Sequence, residues 1–463
     1  MTATTSVFAP PLRLVTTGLL VSVGIVAFDG LGVTTALPRI TSELGGMATY
    51  GWAVSALMLA SVAGTVIAGF VADHHSPCGP YLLGFGIFTI GLAVSGLAPS
   101  WTVFLLGRII QGLGVGAILS MAYVFIGRVY PSDLQSRAFA LLSGAWTVPA
   151  LVGPLAASAL TELASWRVLF FLLIPLVALA VITTTRGLPV LDTTPADQGN
   201  RLRSRLTYSI TLAVSTAVLL VSLEQPNAAI SMGMAVVGLA VMGISLRQVL
   251  PAGTLTLRRG VPSGIATRAA LSLSFFGVEV FLPLAMTELR GSSLLITGLT
   301  LAAGALVWVA GSMTQSHHEQ RRGHDTRRAD SIIGLLILAA GIGLITATLY
   351  IDAFPIGIAT VGWAIGGFGM GMAYNATTTE TFSETEPAAI GAMSGTIQMA
   401  QTLATALIAG IGTAILGATA ENGPRGGVLI ILILAGSLAV AAIPVARRIR
   451  TRAEPYADSL NGS

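Results

Sequence analysis

The stretch that decides the fold is Leu14–Leu37, LVTTGLLVSVGIVAFDGLGVTTAL, where twenty-four consecutive residues carry a single ionisable side chain, Asp29. About twenty apolar residues, rising 1.5 Å each, cross the roughly 30 Å hydrocarbon core of a bilayer. The run is too long for a cleaved leader, its basic flank is Arg13 alone, and it offers no convincing small-residue cleavage site. It reads as a retained membrane helix.

Thirteen further stretches read the same way: Trp52–Val71, Tyr81–Leu97, Val103–Ile126, Ala138–Leu160, Val168–Thr185, Leu206–Leu223, Ala229–Leu246, Ile265–Met286, Leu294–Met313, Ile332–Tyr350, Phe354–Tyr374, Ala388–Leu416 and Gly427–Val445. Composition agrees. Of the 463 residues, 10% are charged and 54% apolar, against about 25% charged in a soluble domain, and the mean hydropathy is +0.82. A chain of this length cannot build a polar shell from so little charge. That excludes a cytosolic enzyme, a secreted disulfide scaffold and a disordered tail. Cys78, the single cysteine, allows no internal disulfide.

All 24 basic residues are arginine. With fourteen spans and both termini inside, nineteen lie on the terminal side, and Arg39, Arg167, Arg290 and Arg425 on the other. Arg108 falls within a span. This bias has the cytoplasm-positive sign of a multi-pass protein, so the pI near 9.6 reports membrane orientation rather than a nucleic-acid partner. Trp52, Trp101 and Trp166 fall at outer helix ends, as an interfacial belt requires. His74, His75, His317, His318 and His324 all read as solvated loop residues, and no metal-ligating cluster lies within the spans. Without lysine, no phosphate-binding Gly-rich loop of the Walker type is possible, so no nucleotide drives this chain.

Matches at an offset near 250 residues (Ser143-Gly144 with Ser394-Gly395, Arg39 with Arg290, Asp133 with Glu384) suggest a repeat. The expected plan is a six-helix bundle over residues 1–186, an inserted helix pair over 187–259, a second six-helix bundle over 260–447 and a cytoplasmic tail over 448–463. Repeated bundles around a central site are a recurring transporter design.

Two acidic residues sit well inside spans. Asp29 lies in the first span and Glu279 at like depth in the ninth. A carboxylate there normally faces a cavity or a partner. Two of them suit cation binding or proton exchange, because a desolvated acid holds or yields its proton according to what faces it. Arg108 is the natural partner, in Gly107-Arg108-Ile109-Ile110-Gln111-Gly112-Leu113-Gly114-Val115-Gly116, whose glycines allow helices to approach closely. The acidic run Glu380, Glu384 and Glu386 reads as a solvated loop.

These residues resemble the major facilitator superfamily, specifically its fourteen-span drug:proton antiporters. Phe28-Asp29 followed by Ala36-Leu37-Pro38-Arg39 is similar to the first-span signature. Arg108, Gln111, Gly112 and Gly114 match the fourth-span motif, and Gly144, Gly153 and Pro154 match the fifth-span antiporter motif. Trp166-Arg167 with Phe170 and Pro175 fits the entry to the sixth span. The gating loop after the second span keeps Gly69 and Asp73, but continues His74-His75 where the family carries basic residues.

The resemblance implies a cofactor-free antiporter of the bacterial plasma membrane, a monomer driven by the proton gradient that exports amphiphilic, drug-like compounds. Proton coupling falls to Asp29, Arg108 and Glu279, and the substrate cavity to Asp29, Glu279 and Gln111. The alternatives are a lipid, glycolipid or metabolite exporter of the same fold, or a membrane enzyme acting on lipid-linked substrates.

Overall fold

The computed structural model describes residues 6–10, 12–74, 76–187, 199–323, 326–385 and 390–449. Apolar runs this long can satisfy their backbone in lipid only by forming helices or a closed barrel, and all regular structure among the described residues is helical. The first four helices are α1 (Leu12–Leu44), α2 (Trp52–His74), α3 (Cys78–Gly96) and α4 (Trp101–Val129).

The fifth expected span is two helices rather than one, α5 (Ser132–Gly144) and α6 (Thr147–Leu163). Pro149 explains the break. It has no N–H to give the carbonyl four residues back, and its ring crowds that turn, so the ladder stops at Gly144. Then come α7 (Arg167–Gly187), α8 (Gly199–Ser222) and α9 (Ala228–Val249). The remainder comprises α10 (Val261–Arg290), α11 (Leu294–Arg322), α12 (Thr326–Tyr350), α13 (Gly357–Ser383), α14 (Ile390–Ala418) and α15 (Pro424–Ala441), followed by a short turn at Ile443–Ala446.

Among the described residues, eleven helices are long and apolar enough to cross a membrane, and α6 and α8 add two shorter apolar segments. The chain divides into two compact units. One is Met1–Val249 with Glu279–Ala302 and Thr405–Val428; the other is Leu250–Val278 with Ala303–Ala404 and Leu429–Ser463.

In the first unit α4 is the spine, and its glycines explain how it packs. A Cβ on Gly112 would lie 2.3 Å from the Leu57 carbonyl oxygen, and one on Gly116 2.0 Å from that of Ser61, both on α2. On the other side, Gly107 is pressed against Ser95 and Gly114 against the Gly84 carbonyl, both on α3. No other residue type fits so close to a neighbouring backbone.

The second unit repeats this frame. Gly362, Gly367, Gly369 and Gly371 of α13 stand 255 residues after Gly107, Gly112, Gly114 and Gly116. Gly367 and Gly371 press on the Gly304 and Trp308 carbonyls of α11, while Gly362 and Gly369 press on α12 at Ile345 and Gly334.

The end of the first unit remote from Leu12, called distal here, is tied together by contacts between several helices. There Ser55 donates to the Ala406 carbonyl at 2.9 Å, joining α2 to α14. Gly51 abuts the Ala409 carbonyl, Gly298 of α11 abuts the Pro154 carbonyl of α6, and Tyr50 packs against Phe281 with ring centroids 5.7 Å apart. Leu220 of α8 fills the space beside Gly410.

The three distal tryptophans are hydrogen-bonded within the protein. Trp101 donates to Thr49 at 2.7 Å, Trp166 to Glu43 at 2.7 Å and Trp52 to Glu224 at 2.6 Å. Trp166 is fully buried. An indole N–H needs an acceptor when buried, so Trp166 is an internal clamp rather than part of an interfacial belt.

Candidate functional site

Asp29 lies midway along α1 and is only 2% exposed. Its oxygens take three hydrogen bonds. Arg108 Nη1 donates to Oδ2 at 2.9 Å and to Oδ1 at 3.2 Å, and Gln111 Nε2 donates to Oδ1 at 3.1 Å.

Arg108 and Gln111 are successive-turn neighbours on α4, so one helix face presents both to α1. They are joined to each other as well, with Arg108 Nη1 donating to Gln111 Oε1 at 3.0 Å. Arg108 Nε donates to the Ala53 carbonyl of α2 at 3.2 Å, and Ser95 of α3 donates to Gln111 Oε1 at 3.0 Å. Four helices therefore converge on one carboxylate. Loss of hydration at both charges is offset by this dense set of partners.

The small-residue face of α6 packs across α1 at this level. Gly153 lies beside Phe28 and Leu31, on either side of Asp29, and Ala157 meets the space beside Gly32. The carbonyl of Pro154 touches Gly298. Gly144 is the exposed last residue of α5 and takes no part in this contact.

Glu279 stands apart. Its Oε2 is buried and has no hydrogen-bond partner, and the structure does not bring it into the set around Asp29. In the gating loop, Gly69 sits in α2 with Ser120 3.8 Å from a would-be Cβ, so ordinary space surrounds it. The side chains of Asp73 and His74, and the whole of His75, lie outside the described residues, as do Glu386 and His324.

Three expectations about charged residues are corrected. His317 and His318 are not in a loop, because α11 continues to Arg322. His318 Nδ1 lies 3.2 Å from Asp330 Oδ1. Glu380 is not a solvated loop residue either, but the buried end of a network on α13. Arg327 of α12 donates to Glu380 at 2.9 Å, to Ser383 at 2.8 Å and to Glu319 of α11.

Arg268, counted on sequence among the orienting arginines, is 4% exposed. Its guanidinium lies over the Tyr374 ring and donates to Thr378 at 2.7 Å and Gln401 at 3.2 Å. One signal was available in the sequence. Arg268 stands inside an apolar helical run, seven residues after its first residue, where an orienting arginine has no water to reach.

Long apolar helices that carry buried ion pairs, Asp29–Arg108 and Arg327–Glu380 among them, are the build of a multi-spanning membrane protein. The sequence pattern of the Major Facilitator Superfamily matches residues 19–409, and the chain belongs to that superfamily. It is 26% identical over 376 residues to the multidrug transporter protein MdtP of Bacillus subtilis, covering 78% of this chain and 67% of that protein.

It is 25% identical over 436 residues to a "probable multidrug-efflux transporter" of Mycobacterium tuberculosis, covering 89% and 90%. Some other matches are shorter, covering about a third of the relative's length. In fold it is similar to a peptide-transporter-family (POT) protein solved with 5-aminolevulinic acid, with a TM-score of 0.70 at 15% identity over 94% of this chain and 96% of that one. Family and relatives are transporters, and the chain is a transporter, not an enzyme.

Proposed function

We propose that this chain is a fourteen-span drug:proton antiporter that exports amphiphilic, drug-like compounds from a bacterial cell while protons move inward. It sits in the plasma membrane with both termini cytoplasmic and its distal end outside. It acts as a monomer with no cofactor beyond the proton gradient. Two six-helix bundles, residues 1–186 and 260–447, rock about a midplane cavity, and the pair in 187–259 is a peripheral insertion.

The observation that carries this reading is the buried set of Asp29, Arg108 and Gln111. A carboxylate at membrane depth, held by one arginine and one amide, has two alternative states. Ionised, it binds Arg108; protonated, it releases Arg108 to reorganise the α1–α4 contact. The Arg108–Asp29 ion pair corresponds to the first state, in which Asp29 has given up its proton to the cytoplasmic side. Glu279, without a hydrogen bond at Oε2 and apart from the Asp29 set, serves as a cation ligand or second proton site. Gly144, Gly153 and Pro154 let the α5–α6 break flex beside Asp29, and Gly69 and Asp73 serve the cytoplasmic gate.

Everted vesicles test the reading. An outwardly acting proton exchanger loaded with a lipophilic cation collapses an imposed pH gradient when the cargo is added. Collapse by phospholipid or glycolipid alone, with none by lipophilic cations, would transfer the chain to the lipid exporters.

A further inference from the structure

At the distal end of the first unit, a cavity of about 410 Å³ opens between the ends of α1, α6 and α10. Its polar walls are Arg39 and Ser42 of α1, Thr161 and Glu162 of α6, and Thr287 and Glu288 of α10. The charges on this wall do not cancel. Arg39 is taken by Glu43, one helical turn on, at 2.8 Å. Glu43 also holds Trp166 and faces Arg167 at 3.5 Å. One carboxylate thus serves two guanidiniums, so the wall itself holds Arg39 against Glu162 and Glu288, a net charge of −1.

Glu162 Oε1 accepts the Leu295 backbone N–H at 3.1 Å, which caps the start of α11. This contact fixes the carboxylate in place with its second oxygen unspent. Among the described residues, Glu288 has no ion pair.

A second, independent observation points to a ligand. Thr161 is 7% exposed, yet its Oγ1 makes no hydrogen bond. Three residues earlier, the Ser158 hydroxyl bonds back to the Leu155 carbonyl, which is what a helical hydroxyl ordinarily does. A buried hydroxyl without a partner costs free energy unless something else completes it.

We infer that this distal cavity is a subsite for an organic ammonium ion, with Glu162 and Glu288 as its counter-charges and the Thr161 and Thr287 hydroxyls as further acceptors. The acidic pair selects positive charge, and the volume admits a small aromatic or alkyl ammonium. On the export reading above, on which its role rests, the cavity is the last subsite a cationic cargo occupies before release. It retains outside cation that has left the midplane.

The test uses the full chain in lipid nanodiscs, with Ser42→Cys in a Cys78→Ser background. The rate of modification by a trimethylammonium-bearing methanethiosulfonate is compared with that of its sulfonate counterpart, each normalised to a free small thiol. The cationic reagent is expected to be favoured, and the preference to fall by about two- to fivefold in each of Glu162→Gln and Glu288→Gln, the range for one exposed charge contact.

Benzyltrimethylammonium should protect the thiol, while its uncharged isostere neopentylbenzene should not. Raising the salt should weaken the protection. Glu162→Asp and Glu288→Asp, which keep the charge, should restore much of the preference and exclude a folding defect. A normalised ratio near one, or a preference untouched by both glutamine changes, overturns the inference. Neither readout needs transport, so a failure here is separable from a failure of the antiport reading.

Discussion

α4 and α13 are built on one glycine frame, yet they carry different side chains between the glycines. After Gly107 comes Arg108; after Gly362, at the matching place, comes Trp363. In the first unit Arg108 reaches Asp29 of α1. In the second, Trp363 stacks on Phe275 of α10 with ring centroids 4.4 Å apart and planes inclined by 22°. The frame fixes how closely the helices approach, and the residue beside it decides whether the junction is ionic or apolar.

An apolar junction has no protonation state to change, whereas an ionic one does. On the proposed antiport reading, the switchable contact is therefore the Asp29–Arg108 pair, and the Trp363–Phe275 stack is packing. Glu279, the acid nearest that apolar junction along α10, has an unbonded Oε2 and no Arg108 equivalent on α13.

The largest effect is expected from breaking the ionic junction from one side. Arg108→Leu leaves Asp29 buried and unpaired, which costs about 3–5 kcal/mol. Thermal unfolding in detergent should show a marked loss, and Arg108→Gln combined with Asp29→Asn should recover part of it. A variant that melts with wild type would mean the pair is not structural.

Next come the shared frames. Gly112→Val and Gly367→Val each drive a side chain into a backbone carbonyl about 2.2–2.3 Å from the would-be Cβ, and each should cost about 1–3 kcal/mol. Similar losses sharpen the equivalence of α4 and α13; tolerance at one position only would break it.

Glu279→Gln should cost far less than Arg108→Leu, because no described partner is lost and an uncharged amide replaces a buried acid. A loss as large as that of Arg108→Leu would show that Glu279 has a hidden counter-charge.

The smallest effect concerns Glu224, in the turn after α8. Burial raises its carboxyl above the ordinary value of 4.5, against a lowering by the Trp52 hydrogen bond. A carboxyl raised on folding favours the folded state while protonated. Its contribution is therefore present below the unfolded value and lost as pH rises through the folded one. Melting curves across that range should show a slight downward slope in wild type that Glu224→Gln removes.

Much of this was legible in the sequence. Asp29 and Arg108 stood out because charge is so scarce in apolar runs, Gln111 through the fourth-span motif, and the structure brings all three together. The helices followed from the length of those runs. What stayed hidden depended on tertiary context. The α5–α6 break needed Pro149 weighed against an otherwise continuous apolar run. The burial of Glu380 depended on Arg327 arriving from another helix, and Arg268 was masked by the habit of reading arginines near helix ends as topology signals. The glycine frame of α13 was present in the sequence at an offset of 255 rather than the 250 of the other matches, which shifted it out of register with them.

The central claim is that proton coupling passes through Asp29. Purified protein in weakly buffered detergent solution should release protons when a lipophilic cationic cargo is added. The account predicts that Asp29→Asn loses this release, while Trp363→Phe, which alters only the apolar junction, keeps it. Full proton release from Asp29→Asn would contradict it.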